Sequence, residues 1–102
     1  MTESARVSNS GIKVLRVLNA LKGHTLSGLS NGDLAKGLNE SPATINRCLN
    51  TLIAENFAVK LDNGRYAQSI AFLQSAQAYT REISEQTARI AELNQRIAAG
   101  SR

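Results

Sequence analysis

Residues 30–52 read SNGDLAKGLNESPATINRCLNTL, and they contain two helix starts about one short helix apart. Ser30 is followed three residues later by Asp33, an acidic form of the capping box, in which side chain and backbone satisfy each other's first-turn groups. Leu34, Ala35 and Leu38 then give one apolar face over two turns. Asn39 and Glu40 make the break, because Asn tolerates the left-handed conformation that ends a helix. Ser41 suits the next N-cap and Pro42 the first helical position, where a missing N–H costs nothing. Ile45, Leu49 and Leu52 recur at spacings of four and three, a second helical stripe. A short helix, a tight turn and a second helix with its own apolar stripe form the helix-turn-helix pattern.

The outward face of the second helix suggests what the motif does. Ala43, Asn46, Arg47 and Asn50 are spaced so that they share one side, and Ser41 and Thr44 flank them. This face is short and polar and carries one positive charge. Asn and Arg are the side chains that make paired hydrogen bonds to adenine and guanine edges in the major groove. Polar residues at this spacing also form ordinary solvated helix faces, so the flanking sequence has to separate the two readings.

A chain of 102 residues and 11.0 kDa is one domain, with room for an extension. Its core is small, and dimerisation would help stabilise it. Hydrophobic residues at 42% and charged residues at 20% describe a globular chain rather than a disordered one. A net charge of +4 and a pI near 9.7 permit an anionic partner without requiring one. No apolar run approaches a membrane span, and no basic-then-apolar leader opens the chain. The single Cys48 excludes an intramolecular disulfide and a cysteine-cluster metal site, and its place near the inward side of the second helix predicts a small core residue. The single His24 lies in a loop with no partner in view. There is no phosphate loop, metal-ligand spacing or acid–base pair in a recognisable context, so no enzyme, metal or cofactor is expected.

Residues 1–9 are polar and are expected to be loose. The first helix is predicted over residues 10–22, with Val14, Leu15, Leu18 and Leu21 as its apolar stripe and Gly23 at its end. Lys13, Arg16 and Lys22 lie off that stripe, either to reach phosphates or to solvate the surface. Residues 23–29 form a loop. Beyond the motif, Glu55 and Asn56 end the helical pattern, and FAVKL at 57–61 is a short alternating run. Asp62-Asn63-Gly64 is turn chemistry, and RYAQ at 65–68 is the returning strand. Residues 10–69 are thus predicted to be a winged helix-turn-helix of three helices and a small β-hairpin. Lys60, Asn63 and Arg65 of the hairpin are candidates for the DNA backbone; otherwise the hairpin serves only to close the core through Phe57, Val59 and Tyr66.

At this point the chain resembles a family, the N-terminal DNA-binding domain of IclR-type bacterial transcription factors. The resemblance spans residues 10–72 and rests on IKVLRVLNAL in the first helix, DLAKGL in the second, ATINRCLNTLIAENF in the third and LDNGRY in the wing. It implies a winged helix that binds operator DNA as a dimer, third helix in the major groove. Thr44, Asn46 and Arg47 match the DNA-facing part of that helix, and Gly64, Arg65 and Tyr66 match the wing. Asn39 stands where the family usually has Gly, Glu40 where it usually has an apolar residue, and Pro42 is unusual at its place, so a turn of different shape is expected. Such regulators continue into an effector-binding domain; the sequence ends at Arg102, so no small-molecule effector is expected.

The last third, residues 70–102, is its own element. No Pro or Gly occurs from 70 to 98, helix formers dominate, and Gly100 follows as a stop. Such a helix extends about 40 Å. With Ala76, Ile83, Ile90 and Ile97 at heptad position a, Phe72, Tyr79, Gln86 and Leu93 fall at d. Ile at a and Leu at d suit a parallel two-stranded coil, and a polar layer at Gln86 can set register. The dimerisation candidates are therefore Tyr79, Ile83, Gln86, Ile90, Leu93 and Ile97, the alternative being a helix folded back on its own domain. Arg81, Arg89 and Arg96 are mixed with Glu82, Glu85 and Glu92, so this helix is not a basic DNA-binding arm. The expected protein is a mainly α, cytoplasmic, nucleoid-associated regulator that binds double-stranded DNA as a homodimer. The alternative is a protein-interaction module in which the winged fold is a scaffold and the last helix binds a partner.

Overall fold

The computed structural model describes residues 5–100; residues 1–4 of the expected loose terminus lie outside the described residues. The first helix, α1 (Asn9–Ala20), is capped by Ser8, whose Oγ accepts a hydrogen bond from the Gly11 N–H at 3.0 Å. It stops two residues short of the expected end, and Gly23 takes a φ of 84° in the turn that follows. The capping box of α2 (Asn31–Leu38) is complete: Ser30 Oγ accepts from Asp33 N at 3.0 Å and Asp33 Oδ2 accepts from Ser30 N at 3.1 Å. The Ser30 backbone N–H, followed by its hydroxyl, holds the Asp33 carboxyl below the usual carboxylate range.

The turn between α2 and α3 (Pro42–Ala54) closes on Asn39 at φ 56° and ψ 49°, with Glu40 N–H donating to the Ala35 carbonyl at 3.0 Å. This six-to-one bond is the Schellman closure, and Asn supplies the left-handed residue that Gly more often provides. Ser41 caps α3, accepting from Thr44 N at 3.1 Å, with Pro42 at the first helical position. The end of α3 repeats the device at Asn56, φ 66°, where Phe57 N–H reaches the Leu52 carbonyl at 2.8 Å.

The hairpin pairs β1 (Ala58–Lys60) with β2 (Tyr66–Gln68) antiparallel, Val59 opposite Ala67. Leu61 N–H donates to the Arg65 carbonyl at 2.7 Å, which leaves residues 62–64 as the loop. Only Gly64 of that loop has positive φ, at 85°, the three-residue hairpin pattern rather than the two-residue Asn-Gly turn. A third partner comes from the segment expected to be plain loop. Leu29 bridges Tyr66 through a reciprocal pair of backbone bonds at 2.9 and 2.8 Å, so β2 is held on both edges.

The core lies among α1, α2, α3 and β1, around Val17, Leu21, Leu34, Ile45, Leu49 and Leu52, with Val14, Leu18 and Tyr66 packed against it. One expectation about it, and one alternative, need correction. Leu15 is 64% exposed, whereas Val17, unassigned from sequence, is 1% exposed; the inward stripe is 14, 17, 18, 21, and Leu15 stands about 60° beyond its Leu18 edge. Phe57 and Val59 do not close the core. The small Ala58 does, and alternation along the strand turns its neighbours the other way. Phe57 packs edge-to-face on Phe72, centroids 5.6 Å apart at 71°.

Two compact units divide between Phe72 and Leu73. The last helix, α4 (Ile70–Gly100), begins on Ser69, a buried serine whose Oγ donates to the Asn56 carbonyl at 2.6 Å and accepts from Phe72 N at 3.0 Å. No residue of α4 is buried. No helix among the described residues is long and apolar enough to cross a membrane.

Candidate nucleic-acid interface

The inward face of α3 is fixed by Ile45, Cys48, Leu49 and Leu52, all buried. That registers Ala43, Asn46, Arg47 and Asn50 outward, and all four are exposed. Among the described residues, the side chains of Asn46, Arg47 and Asn50 hydrogen-bond to no other group of the chain, which leaves an amide, a guanidinium and a second amide free along one face. Nothing internal competes for their donors and acceptors.

Ser41 and Thr44 stand differently. Ser41 Oγ caps the helix and also donates to Thr44 Oγ1 at 2.9 Å. Ser41 therefore serves the turn first, while the Thr44 hydroxyl keeps its own proton to donate outward. Asn31 adds a tie that the sequence did not disclose: its Nδ2 donates to the Pro42 carbonyl at 3.1 Å, linking the start of α2 to the start of α3. Lys13 pairs with Glu40 at 3.4 Å, pinning α1 to the turn. An open groove of about 460 Å³ runs between the start of α1 and α3, lined by Asn9, Lys13, Val14, Arg47 and Cys48 among others. Burial, reinforced by Glu40, pushes the Cys48 thiol up against the opposing pull of Lys13 and Arg47, so this cysteine is a neutral core group.

In the wing, Lys60 and Arg65 are both exposed. They are not direct partners: Lys60 is opposite Tyr66 and holds its ammonium 5.8 Å from that ring's centre. Asn63 is engaged at both ends of its amide, Oδ1 accepting from Arg65 N at 2.9 Å and Nδ2 donating to the Ser27 carbonyl at 3.1 Å. It shapes the wing tip and fastens it to the loop before α2. Gln68 likewise ties the hairpin to α1 through the Leu18 carbonyl at 3.1 Å. Residues 1–69 carry eight Lys and Arg against five Asp and Glu, whereas Ile70–Gly100 carries three of each. The positive excess thus sits on the segment that holds α3 and the wing, where an anionic backbone would need it.

Comparison with known proteins agrees with this geometry. The profile of the IclR helix-turn-helix domain matches residues 12–62, which runs from α1 to the wing tip. No curated protein matches the chain. Among solved structures, a mutant of S. aureus MepR bound to an oligodeoxyribonucleotide superposes with a TM-score of 0.53 at 19% identity, over 86% of this chain and 72% of that one. S. aureus MepR bound to ethidium bromide gives 0.51 at 18% identity, over 96% and 76%. At such identities the likeness is one of fold.

Proposed function

Because the chain belongs to the IclR helix-turn-helix domain family, we propose that it is a transcriptional regulator that binds operator DNA as a dimer, with α3 in the major groove and the wing on the backbone. The observation that carries this is the free polar face of α3. Asn46, Arg47 and Asn50 are exposed and, among the described residues, without internal partners, and these are the side chains suited to adenine and guanine edges. Ala43, the small member of that face, lets the helix approach the groove floor. Thr44 at the helix start, and Lys60 and Arg65 in the wing, take the phosphate side, which fixes position without reading sequence, while Ser41 and Asn63 contribute by holding the helix start and the wing tip in shape. Dimerisation runs through the stripe of α4 that includes Tyr79, Ile83, Gln86, Ile90, Leu93 and Ile97.

A salt titration of binding to duplex DNA tests the reading. Affinity should fall linearly with the logarithm of salt, with a slope of about 0.9 per phosphate neutralised. Absence of duplex binding at low salt would remove the DNA reading and leave the winged fold as a protein-interaction scaffold. Selection from a random duplex pool should then return a site that depends on the α3 face.

A further inference from the structure

The geometry of α4 points to an antiparallel pairing with a second copy of itself, in the one register that sets Glu82 of each helix beside Arg89 of the other. This rests on the self-association proposed above and adds its orientation. The helix has no buried residue, and its apolar stripe is open: Ile83 is 48% exposed, Leu93 54%, Ile90 59% and Tyr79 65%. In proteins most of a helix's stability comes from packing its apolar face against something.

The flanks of the stripe say what that something is. On one side, heptad position g, lie Ser75, Glu82, Arg89 and Arg96; on the other, position e, lie Leu73, Thr80, Thr87 and Asn94, with no charge. Thr80 and Thr87 turn their hydroxyls back to the Ala76 and Ile83 carbonyls, at 3.3 and 2.9 Å. A parallel coil pairs g with e, so every charged g residue would meet a neutral one and charge would select nothing. An antiparallel coil pairs g with g. Glu82 and Arg89 then become complementary, and among the described residues neither is held in an ion pair of its own chain.

Charge also selects the register. Setting Glu82 beside the partner helix's Arg89 makes the pair twice by symmetry. The inner core layers are then Ala76 on Leu93, Ile83 on Gln86 and Ile90 on Tyr79, each again twice. The two Gln86 amides fall about 4.5 Å apart along the axis, three residues at 1.5 Å each, within reach across the dyad. Slipping by one heptad one way brings Glu82 against Glu82; slipping the other way brings Arg89 against Arg89 and turns Glu82 toward Arg96, which already pairs with Glu92 of its own chain at 3.6 Å. In the selected register the two Phe72 residues, where the chains enter the coil, are about 37 Å apart along it, 25 residues at 1.5 Å each.

Disulfide trapping reads the orientation directly. In a Cys48→Ala background checked by circular dichroism, Ala76→Cys and Leu93→Cys chains are oxidised each alone and, after mixing in the reduced state, together. Cross-linking should appear in the mixture and not in either chain alone. Charge reversal gives a second readout by sedimentation: Glu82→Arg and Arg89→Glu should each weaken self-association by about ten-fold, since two pairs change from attraction to repulsion, and mixing the two variants should restore it. Cross-linking of Ala76→Cys with itself would establish a parallel coil and overturn the orientation while leaving the dimer. A dimer that neither cross-links in the mixture nor responds to the reversals would overturn the register. A wild-type monomer at tens of micromolar would overturn self-association itself.

Discussion

Arg47 carries the only positive charge on the exposed face of α3 and, among the described residues, has no internal partner. Its loss should cost about 1–3 kcal/mol at a specific site and relax preference at one base position, because a bidentate guanine contact is worth that much. Fluorescence anisotropy of Arg47→Ala on the selected site and on random duplex checks it; unchanged affinity for both would take α3 out of the groove. Gly28 makes a stability claim at the same scale. It is buried at φ 74°, and a Cβ there would meet Arg65 Cβ, Leu61 Cδ1 and the Tyr66 carbonyl, each at 2.9 Å. Gly28→Ala combines a strained backbone with a clash that two rigid neighbours cannot relieve, and should destabilise by about 2–4 kcal/mol in urea unfolding. From sequence this glycine was loop punctuation. The atoms that make it necessary come from the wing, more than thirty residues away, and no local pattern reveals them.

At the scale of the element, what was legible was local chemistry. The capping box of α2, the Ser41–Pro42 start of α3 and both Asn exits stand where the spacing placed them, because each depends on residues within a few positions of one another. The Asn39 departure from the usual Gly leaves an ordinary Schellman turn, since Asn reaches the same left-handed geometry. What was not legible were pairings set by tertiary contact: the Leu29 bridge, the Asn31 tie to Pro42, and the choice of Ala58 over Phe57 for the core. The same holds for the candidate site. Its outward face on α3 followed from helical period, but the commitment of Ser41 and Asn63 to the turn and the wing tip did not. The wing yields a prediction of its own. Arg65 is exposed beside a tip that Asn63 holds rigid, and phosphate contact there should be indifferent to sequence. Arg65→Ala should weaken specific and random binding together and make the salt slope shallower by about one unit. A loss confined to one operator sequence would contradict a backbone role.

For the whole molecule, one winged domain offers few contacts, and its affinity alone should be modest. Joining two makes the second half-site contact intramolecular, which can raise avidity by about 10²–10⁴. The molecule separates the two tasks in composition: the positive excess and the packed core belong to the first unit, and the charge-balanced helix with an open apolar stripe forms the second. A change in the stripe should therefore reach DNA binding without touching the fold that reads DNA. Ile90 tests this separation, because it is a core position of the proposed coil in either orientation and is exposed in the single chain. Ile90→Asp places a carboxylate in an apolar seam, where desolvating the charge is costly, yet costs the single chain no buried contact. The variant should be a folded monomer that keeps weak half-site binding and has lost tight binding to the full operator. Sedimentation of wild type and variant, with far-UV circular dichroism as the folding control and anisotropy on half and full sites, decides it. If Ile90→Asp remained dimeric and bound the full operator as the wild type does, the stripe of α4 would not be what joins two copies, and avidity would have to come from the winged domains themselves.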